Sequence, residues 1–405
     1  MTHYDQSTGT LTLHNYMDFV DLTDYATLSY ELNCDGQVVS AGSVPFPGGF
    51  RLPPHADGTL PLPLDVPAKG KCFVNICYHC KQDSALIKAD HLLGFDEIPL
   101  QNSDPRNQDA VQLLGRPAGD GLITIRETDR MLVLSCEQFT YVFNKLTGLF
   151  DKMTFANEPL LDQPMGFNVW RAPTDNDRKL KADWYAAHYD HAATNAYHTE
   201  YTVTASGVTL HTHVGIAAIC VQKFLDLDVT WTVANNGSVD LALHAQRNTV
   251  FPELPRFGLR LFLPQEMSQV NYYGMGPMEC YCDKHHAASH NSYTATVWQL
   301  HEDYIRPQEN GSHFDCDYVM LAGDAVRLTA VGTQPFSFNA SHYTQEELTR
   351  KAHNYELEPC GSTVLCLDYA QNGIGSESCG PRLLEQYRLD DATFNFGLRL
   401  FPEKK

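Results

Sequence analysis

Leu225, Leu227, Val229, Trp231 and Val233 share one face of an extended segment, Asn236-Gly237 follows, and Asp240 to His244 begins a return. Side chains of a strand alternate between its two faces, so this spacing buries one side of a sheet. The Asn-Gly pair supplies the positive φ angles of a tight hairpin turn. The same pattern recurs in Leu28, Tyr30, Leu32 and Cys34, followed by Asp35-Gly36 and then Val38-Val39, and in Phe139 to Phe143, Leu146-Thr-Gly148 and Leu149 to Phe155. Strands separated by turn signals, without regular strand-helix alternation, predict antiparallel sandwiches rather than a parallel barrel. Helices are expected to be few and short: one candidate contains Trp184 to His188, and the capping box Thr344-Gln-Glu-Glu347 opens a two-turn helix running through Lys351.

At 405 residues the chain is long enough for two or three domains. Leu100 to Gly121 is rich in Asn, Asp, Pro, Gly and Gln and lacks periodicity, so it reads as a linker at 101–121, between a sandwich at 1–100 and a larger one at 122–405. Seven prolines between Pro45 and Pro67 restrict that stretch to edge strands and loops.

With 49 acidic against 29 basic residues, the formal charge of −20 repels nucleic acid and anionic membrane surfaces and is compatible with a small neutral ligand. The N-terminus has no basic segment followed by an apolar one, and no apolar run is long enough to cross a bilayer, so a cytoplasmic location is expected. Twelve cysteines then read as reduced, mostly buried small hydrophobes, and the sequons at Asn236, Asn310 and Asn339 as unused. Cys72, Cys77, His79 and Cys80 lie close in sequence, but on a strand Cys77 and His79 point opposite to Cys72 and Cys80. Four zinc ligands cannot converge from opposite faces.

The tract Asn168-Val-Trp-Arg-Ala-Pro-Thr-Asp-Asn-Asp177 combines an aromatic ring, a five-donor guanidinium, a stiff proline and a turn-forming triplet. It suits presentation of polar groups to a ligand, and equally a buried corner in which Arg171 pairs with Asp175 or Asp177. It resembles the Trp-Arg-Ala-Pro-x-Asp-Asn-Asp signature that opens the last domain of the large, cytoplasmic-type β-galactosidases of glycoside hydrolase family 2. Four further tracts resemble the same domain in the same order: Tyr273 to Glu279, Arg306 to Gly311, Phe338 to Tyr343 with Glu346 to Leu348, and Asn372 to Pro381. The resemblance spans roughly residues 120 to 400. Gly70 to Val74 and Ala89 to Phe95 are similar, more loosely, to the immunoglobulin-like domain that precedes it.

This resemblance implies an all-β chain: an N-terminal immunoglobulin-like β-sandwich, then a large antiparallel supersandwich resembling the galactose mutarotase fold. Retaining glycosidases need two carboxyl groups about 5–5.5 Å apart. In the family these are glutamates on a (β/α)₈ barrel that precedes everything seen here, so no catalytic residue is expected in this chain. No cofactor is expected either, because the family's Mg²⁺ and Na⁺ belong with the barrel. The implied partners are a galactoside substrate, through the complete enzyme, and the catalytic barrel or a large subunit. The presence of the first sandwich suggests an excised C-terminal region rather than a natural small subunit.

The expected site wall consists of Arg171, Asp175, Asn176, Asp177, His342 and Cys379. Arg178-Lys179 stand where some relatives carry a small or apolar pair ending in glycine. Cys379 stands where some place a tryptophan that stacks on the sugar or aglycone. A thiol offers no such platform, and a buried hydrophobe in a glycine-bounded turn is the plainer reading. Glu279 and Glu309, beside glycines, read as turn or cap residues, and His342 as exposed or bonded to the neighbouring capping box. Two rival functions stand beside this one. An aldose 1-epimerase-like enzyme would use a pair such as His301 and Glu309, and a sugar-binding module would do no chemistry.

Overall fold

The computed structural model describes residues 2–100, 104–375 and 378–405, and its chain is dominated by antiparallel strands. The expected all-β class holds. Two compact units form, residues 1–111 with 289–292, and residues 112–288 with 293–405.

The first unit contains a three-stranded sheet, His3–Asp5, Thr10–His14 and Asp57–Pro61, and a four-stranded sheet in the order Gln37–Val44, Ala26–Cys34, Cys72–Cys80, Leu92–Pro99. Their inward residues, among them Leu11, Leu13, Leu28, Leu32, Leu60, Val74 and Ile76, make one core. The hairpin expected around Asp35-Gly36 is present, with Cys34 opposite Gln37 and both turn residues at positive φ. The one strand inside the proline-rich stretch, Asp57–Pro61, sits at a sheet edge, where the missing proline N–H goes unused. Cys72 and Cys80 are buried while Cys77 is half-buried on the opposite face. Among the described residues no group of three or more His, Cys, Asp or Glu is arranged to hold a metal ion. The stretch 101–121 carries a seven-residue helix, Gln108–Leu114, whose first turn is capped by the Asn107 side chain accepting from Asp109 N at 2.9 Å. Residues 101–103 lie outside the described set.

The second unit combines a five-stranded sheet, residues 124–159, with a twelve-stranded one. The anticipated hairpin Leu225–Ala234 to Val239–Arg247 is part of the latter, and Leu225, Leu227, Val229, Trp231 and Val233 are all buried. Trp231 explains why the alternation is so strict. Its ring meets Phe150 edge-on at 5.3 Å, and its indole N–H donates to Gly148 O at 3.0 Å, so the side chain is wholly buried yet satisfied. Within the large sheet, Gln163–Asn168, Arg256–Pro264, Ser362–Gln371 and Val326–Ser341 are consecutive neighbours. The loops leaving this group carry the candidate site.

Both expected helices form. Leu180–Ala186 buries Trp184 and ends before His188, which adopts φ +56°. Gln345–Arg350 begins at Thr344, whose hydroxyl accepts from Glu347 N at 3.1 Å. Only that half of the expected box forms through Glu347, because its carboxylate is taken by Arg350 and by Glu358 N at 3.1 Å.

Candidate functional site

The strand Gln163–Asn168 delivers Arg171 into the interior, where it is fully buried. A buried guanidinium requires a counter-charge and acceptors for its remaining donors. Asp177 provides the charge through a two-pronged contact, 2.7 Å from Nη2 and 3.2 Å from Nε. The other donors reach the carbonyls of Asn372 and, at 3.1 Å, Gly373. The guanidinium carbon also lies 5.1 Å from the Trp184 ring. Asp177 in turn accepts from Thr174 N at 2.9 Å, which closes the short helix Asp175–Arg178.

Two more side chains of the tract reach the same distant loop. Asn176 Nδ2 donates to Ile374 O at 2.6 Å, and Arg178 Nη2 donates to Ser378 O at 3.0 Å. Residues 200 positions apart in sequence are thereby laced together. From the other side, Asp283 accepts from Ile374 N at 3.0 Å and Gly375 N at 2.7 Å. The two glycines leave room for it: a Cβ on Gly373 would stand 2.6 Å, and one on Gly375 2.9 Å, from the Asp283 carboxylate, which would have to shift off these N–H groups.

A cavity of about 450 Å³ opens between these loops, lined by Asp175, Asn176, Glu279, Asp283, Lys284, Tyr304, Gln308 and Glu309 among others. Glu279 accepts from Lys284 Nζ at 2.7 Å, from Gly311 N at 2.9 Å and from the Tyr304 hydroxyl. Burial opposes its ionisation, but these donors outweigh it and hold the carboxyl below the ordinary glutamate value. Lys284 is raised in return: burial works against its charge and Glu279 overcomes it.

A carboxylate depressed in the folded state contributes stability that is complete above its unfolded pKa and is lost as pH falls through the folded value. Glu279→Gln is therefore expected to flatten the acid limb of the melting temperature below about pH 4. Melting curves across the acid range check this, and an unaltered limb would mean that Glu279 is solvated.

Glu309 is buried. It accepts from Arg256 Nη1 at 2.5 Å and Ala172 N at 3.2 Å, while its own N–H donates to Ala172 O at 2.9 Å. Each carboxyl oxygen thus accepts from a buried donor. Of the four carboxylates around the cavity, Asp175 alone among the described residues presents oxygens not bound to a neighbour. The cavity is a polar recess able to hold hydroxyl groups.

Comparison with known proteins identifies this architecture. Residues 135–400 match the family model described as β-galactosidase small chain, and residues 11–101 match that of β-galactosidase domain 4. The chain belongs to the β-galactosidase family. It is 37% identical over 394 residues to a β-galactosidase of Actinobacillus pleuropneumoniae and 33% identical over 395 residues to one of Staphylococcus xylosus. These alignments cover 97% and 96% of the chain but 38% of each relative, so it spans little more than a third of their length. Among solved structures it is similar to a galactose mutarotase-like protein from Lactobacillus casei (TM-score 0.38, 9% identity, 67% of this chain and 100% of that one). It is also similar to a galactose 1-epimerase from Lactobacillus acidophilus (TM-score 0.39, 9% identity, 70% and 99%).

Of the six residues expected at the β-galactosidase sugar site, Asp175 and Asn176 line the cavity. Arg171 and Asp177 do not line it. They are buried beneath it as an ion pair, the corner arrangement, because neither charge can be left unpaired in the interior. His342 lies outside the lining set and is neither exposed nor bonded to the capping box. It is buried with its ring 4.6 Å from that of Trp298 and its Nδ1 3.4 Å from Ser362 O, and burial lowers its pKa. Cys379 is exposed, which overturns the buried-hydrophobe reading of its turn. Residues 376 and 377 of that loop lie outside the described set. His301 also lies outside the lining set, and burial lowers its pKa. Asp283, Lys284, Tyr304 and Gln308 were not anticipated. Nothing in their local pattern distinguishes them, although Gln308 falls inside the Arg306 to Gly311 tract.

Proposed function

We propose that this chain is the C-terminal part of a β-galactosidase that hydrolyses terminal β-D-galactose residues with retention, and that its second unit walls the sugar site. The two catalytic glutamates, with the Mg²⁺ and Na⁺ of the complete enzyme, belong to a separate barrel segment or large subunit. The observation carrying this reading is the lacing of the 171–178 tract to the 372–378 loop around a polar cavity whose carboxylates are mostly neutralised. Such a surface orients hydroxyl groups and excludes water without supplying an acid-nucleophile pair.

Nitrophenyl β-galactoside should release no nitrophenol with this chain alone, and hydrolysis should begin when a barrel-bearing partner is added. In the reconstituted enzyme, Asn176→Ala is expected to lower kcat/KM by about tenfold, because one hydrogen bond positioning Ile374 is lost. Steady-state kinetics checks both. Robust hydrolysis by the pure chain would sink the proposal.

A further inference from the structure

Two thiols of the first unit stand in direct contact. Cys34 closes the strand Ala26–Cys34, Cys72 opens Cys72–Cys80, and the antiparallel register sets them opposite one another. Cys72 Sγ donates to Cys34 Sγ at 2.9 Å, and Cys34 Sγ in turn donates to Lys69 O at 3.4 Å. Antiparallel partners have Cα atoms about 4.5–5.5 Å apart, inside the range of about 4.4–6.8 Å that a disulfide spans. A sulfur–sulfur bond of about 2.05 Å therefore needs a sulfur shift of less than about 1 Å.

The surroundings hold the two thiols in place. Gly70, at φ +104°, lies against the half-buried Cys34, where a Cβ would collide with the sulfur. Asp35 accepts from Lys71 N at 3.0 Å and Gln108 N at 3.2 Å, and Asp104 accepts from Gly70 N at 2.7 Å. Among the described residues these sulfurs and carboxylates form no group arranged to hold a metal ion, so the chemistry left to the pair is that of sulfur itself.

We propose that Cys34 and Cys72 are a site of reversible oxidation, at which a hydroperoxide converts the dithiol to a cross-strand disulfide. Cys34 is the attacking thiol, because it is half-buried where Cys72 is wholly enclosed and because the Cys72 S–H donates to its sulfur. Its thiolate attacks one peroxide oxygen: an S–O bond forms, the O–O bond breaks, and the departing hydroxide takes up the Cys34 proton as water. Cys72 then attacks the sulfenic sulfur. The S–S bond forms, the S–O bond breaks, and a second water leaves with the Cys72 proton. Two thiols thus lose two electrons and two protons, and hydrogen peroxide is reduced to two waters. Burial raises both thiols, Cys72 to about 12, so the reaction is slow near neutrality and quickens as pH rises. The cross-link closes residues 35–71, with the strands Gln37–Val44 and Asp57–Pro61, into one loop and so restricts the unfolded chain.

The test treats the folded 405-residue chain with excess hydrogen peroxide at about pH 8.5, the ordinary cysteine pKa, blocks it with iodoacetamide in denaturant, and digests it with trypsin without reductant. Mass spectrometry should find peptide 1–51, whose one cysteine is Cys34, joined to peptide 72–81 and two hydrogens lighter than the separate pair. Fragment ions should place the link at Cys72 rather than Cys77 or Cys80, and dithiothreitol should release it. The oxidised chain should melt about 5 °C or more above the reduced one. Cys34→Ser should lose both the link and the rise, and the fragment ions of the unmodified chain decide the matter if that variant does not fold. No link under conditions that oxidise the exposed Cys220 and Cys379 would overturn the assignment. So would a link at Cys77 or Cys80, or a melting temperature that rises equally in Cys34→Ser.

Discussion

Arg256→Met is expected to lower the free energy of unfolding by about 3–5 kcal/mol, the range for removing one partner of a buried ion pair. Arg256 is completely buried on the strand Arg256–Pro264. It holds Asp368 through Nε at 3.1 Å and through Nη2, Glu309 through Nη1 at 2.5 Å, and Asn339 Oδ1 at 2.9 Å. Burial works against its charge, but Asp368 and Glu309 keep the guanidinium protonated. Methionine fills similar space and satisfies neither carboxylate. Because Glu309 also positions Ala172, the loss should spread to the floor of the cavity.

The effect carries a pH signature. Burial already pushes the Asp368 carboxyl up to about 6 against the pull of Arg256. Without the guanidinium it rises further, so the folded variant gains a proton that the unfolded chain does not hold at that pH. A folded pKa above the unfolded one favours folding at lower pH, so the penalty should be largest above the variant's raised value and shrink as pH falls toward about 6, below which Asp368 is protonated in both folded proteins. Urea unfolding at two pH values checks this. A loss under about 1 kcal/mol, or one independent of pH, would show that the cluster is not held by charge.

Arg171→Met is the second large loss, again about 3–5 kcal/mol, for the same reason: Asp177 would be left buried and unpaired. The local consequence differs, because Arg171 also binds the carbonyls of Asn372 and Gly373. Without it the segment Asn372 to Gly375 loses both carbonyl ties and keeps those to Asn176 and Asp283 and the bonds to Pro255, Tyr387 and Leu389, so proteolytic nicking there should accelerate beyond what the global loss predicts. A double-mutant cycle with Asp177→Asn should return a coupling of about 1–3 kcal/mol. Additive losses would mean that the pair is not the source of stability.

The hairpins were legible because alternation and turn chemistry are local: Leu225 to Val233 and Asn236-Gly237 need no knowledge of what covers them. Helix starts were equally readable from Thr344. The limits appear where a side chain must choose among distant partners. Glu347 has the capping-box identity but gives its carboxylate to Arg350 and Glu358, which local pattern cannot rank. The stretch after residue 100 shows how a short helix with a weak apolar pattern, Gln108–Leu114, hides within a polar segment.

By itself the sequence determined the all-β class, the hairpin registers and the family, each encoded in contiguous residues whose spacing matches strand geometry or a motif. Only the tertiary structure decided which motif residues meet solvent. It paired Arg171 with Asp177 rather than Asp175, placed His342 under Trp298, left Cys379 exposed, and brought Lys284 and Tyr304 to Glu279. The physical reason is that burial of charge is a cost set by the whole environment. A carboxylate or guanidinium is structural or available according to the partners that long-range packing brings within about 3 Å, and for Arg171 those partners lie as far as 202 residues away.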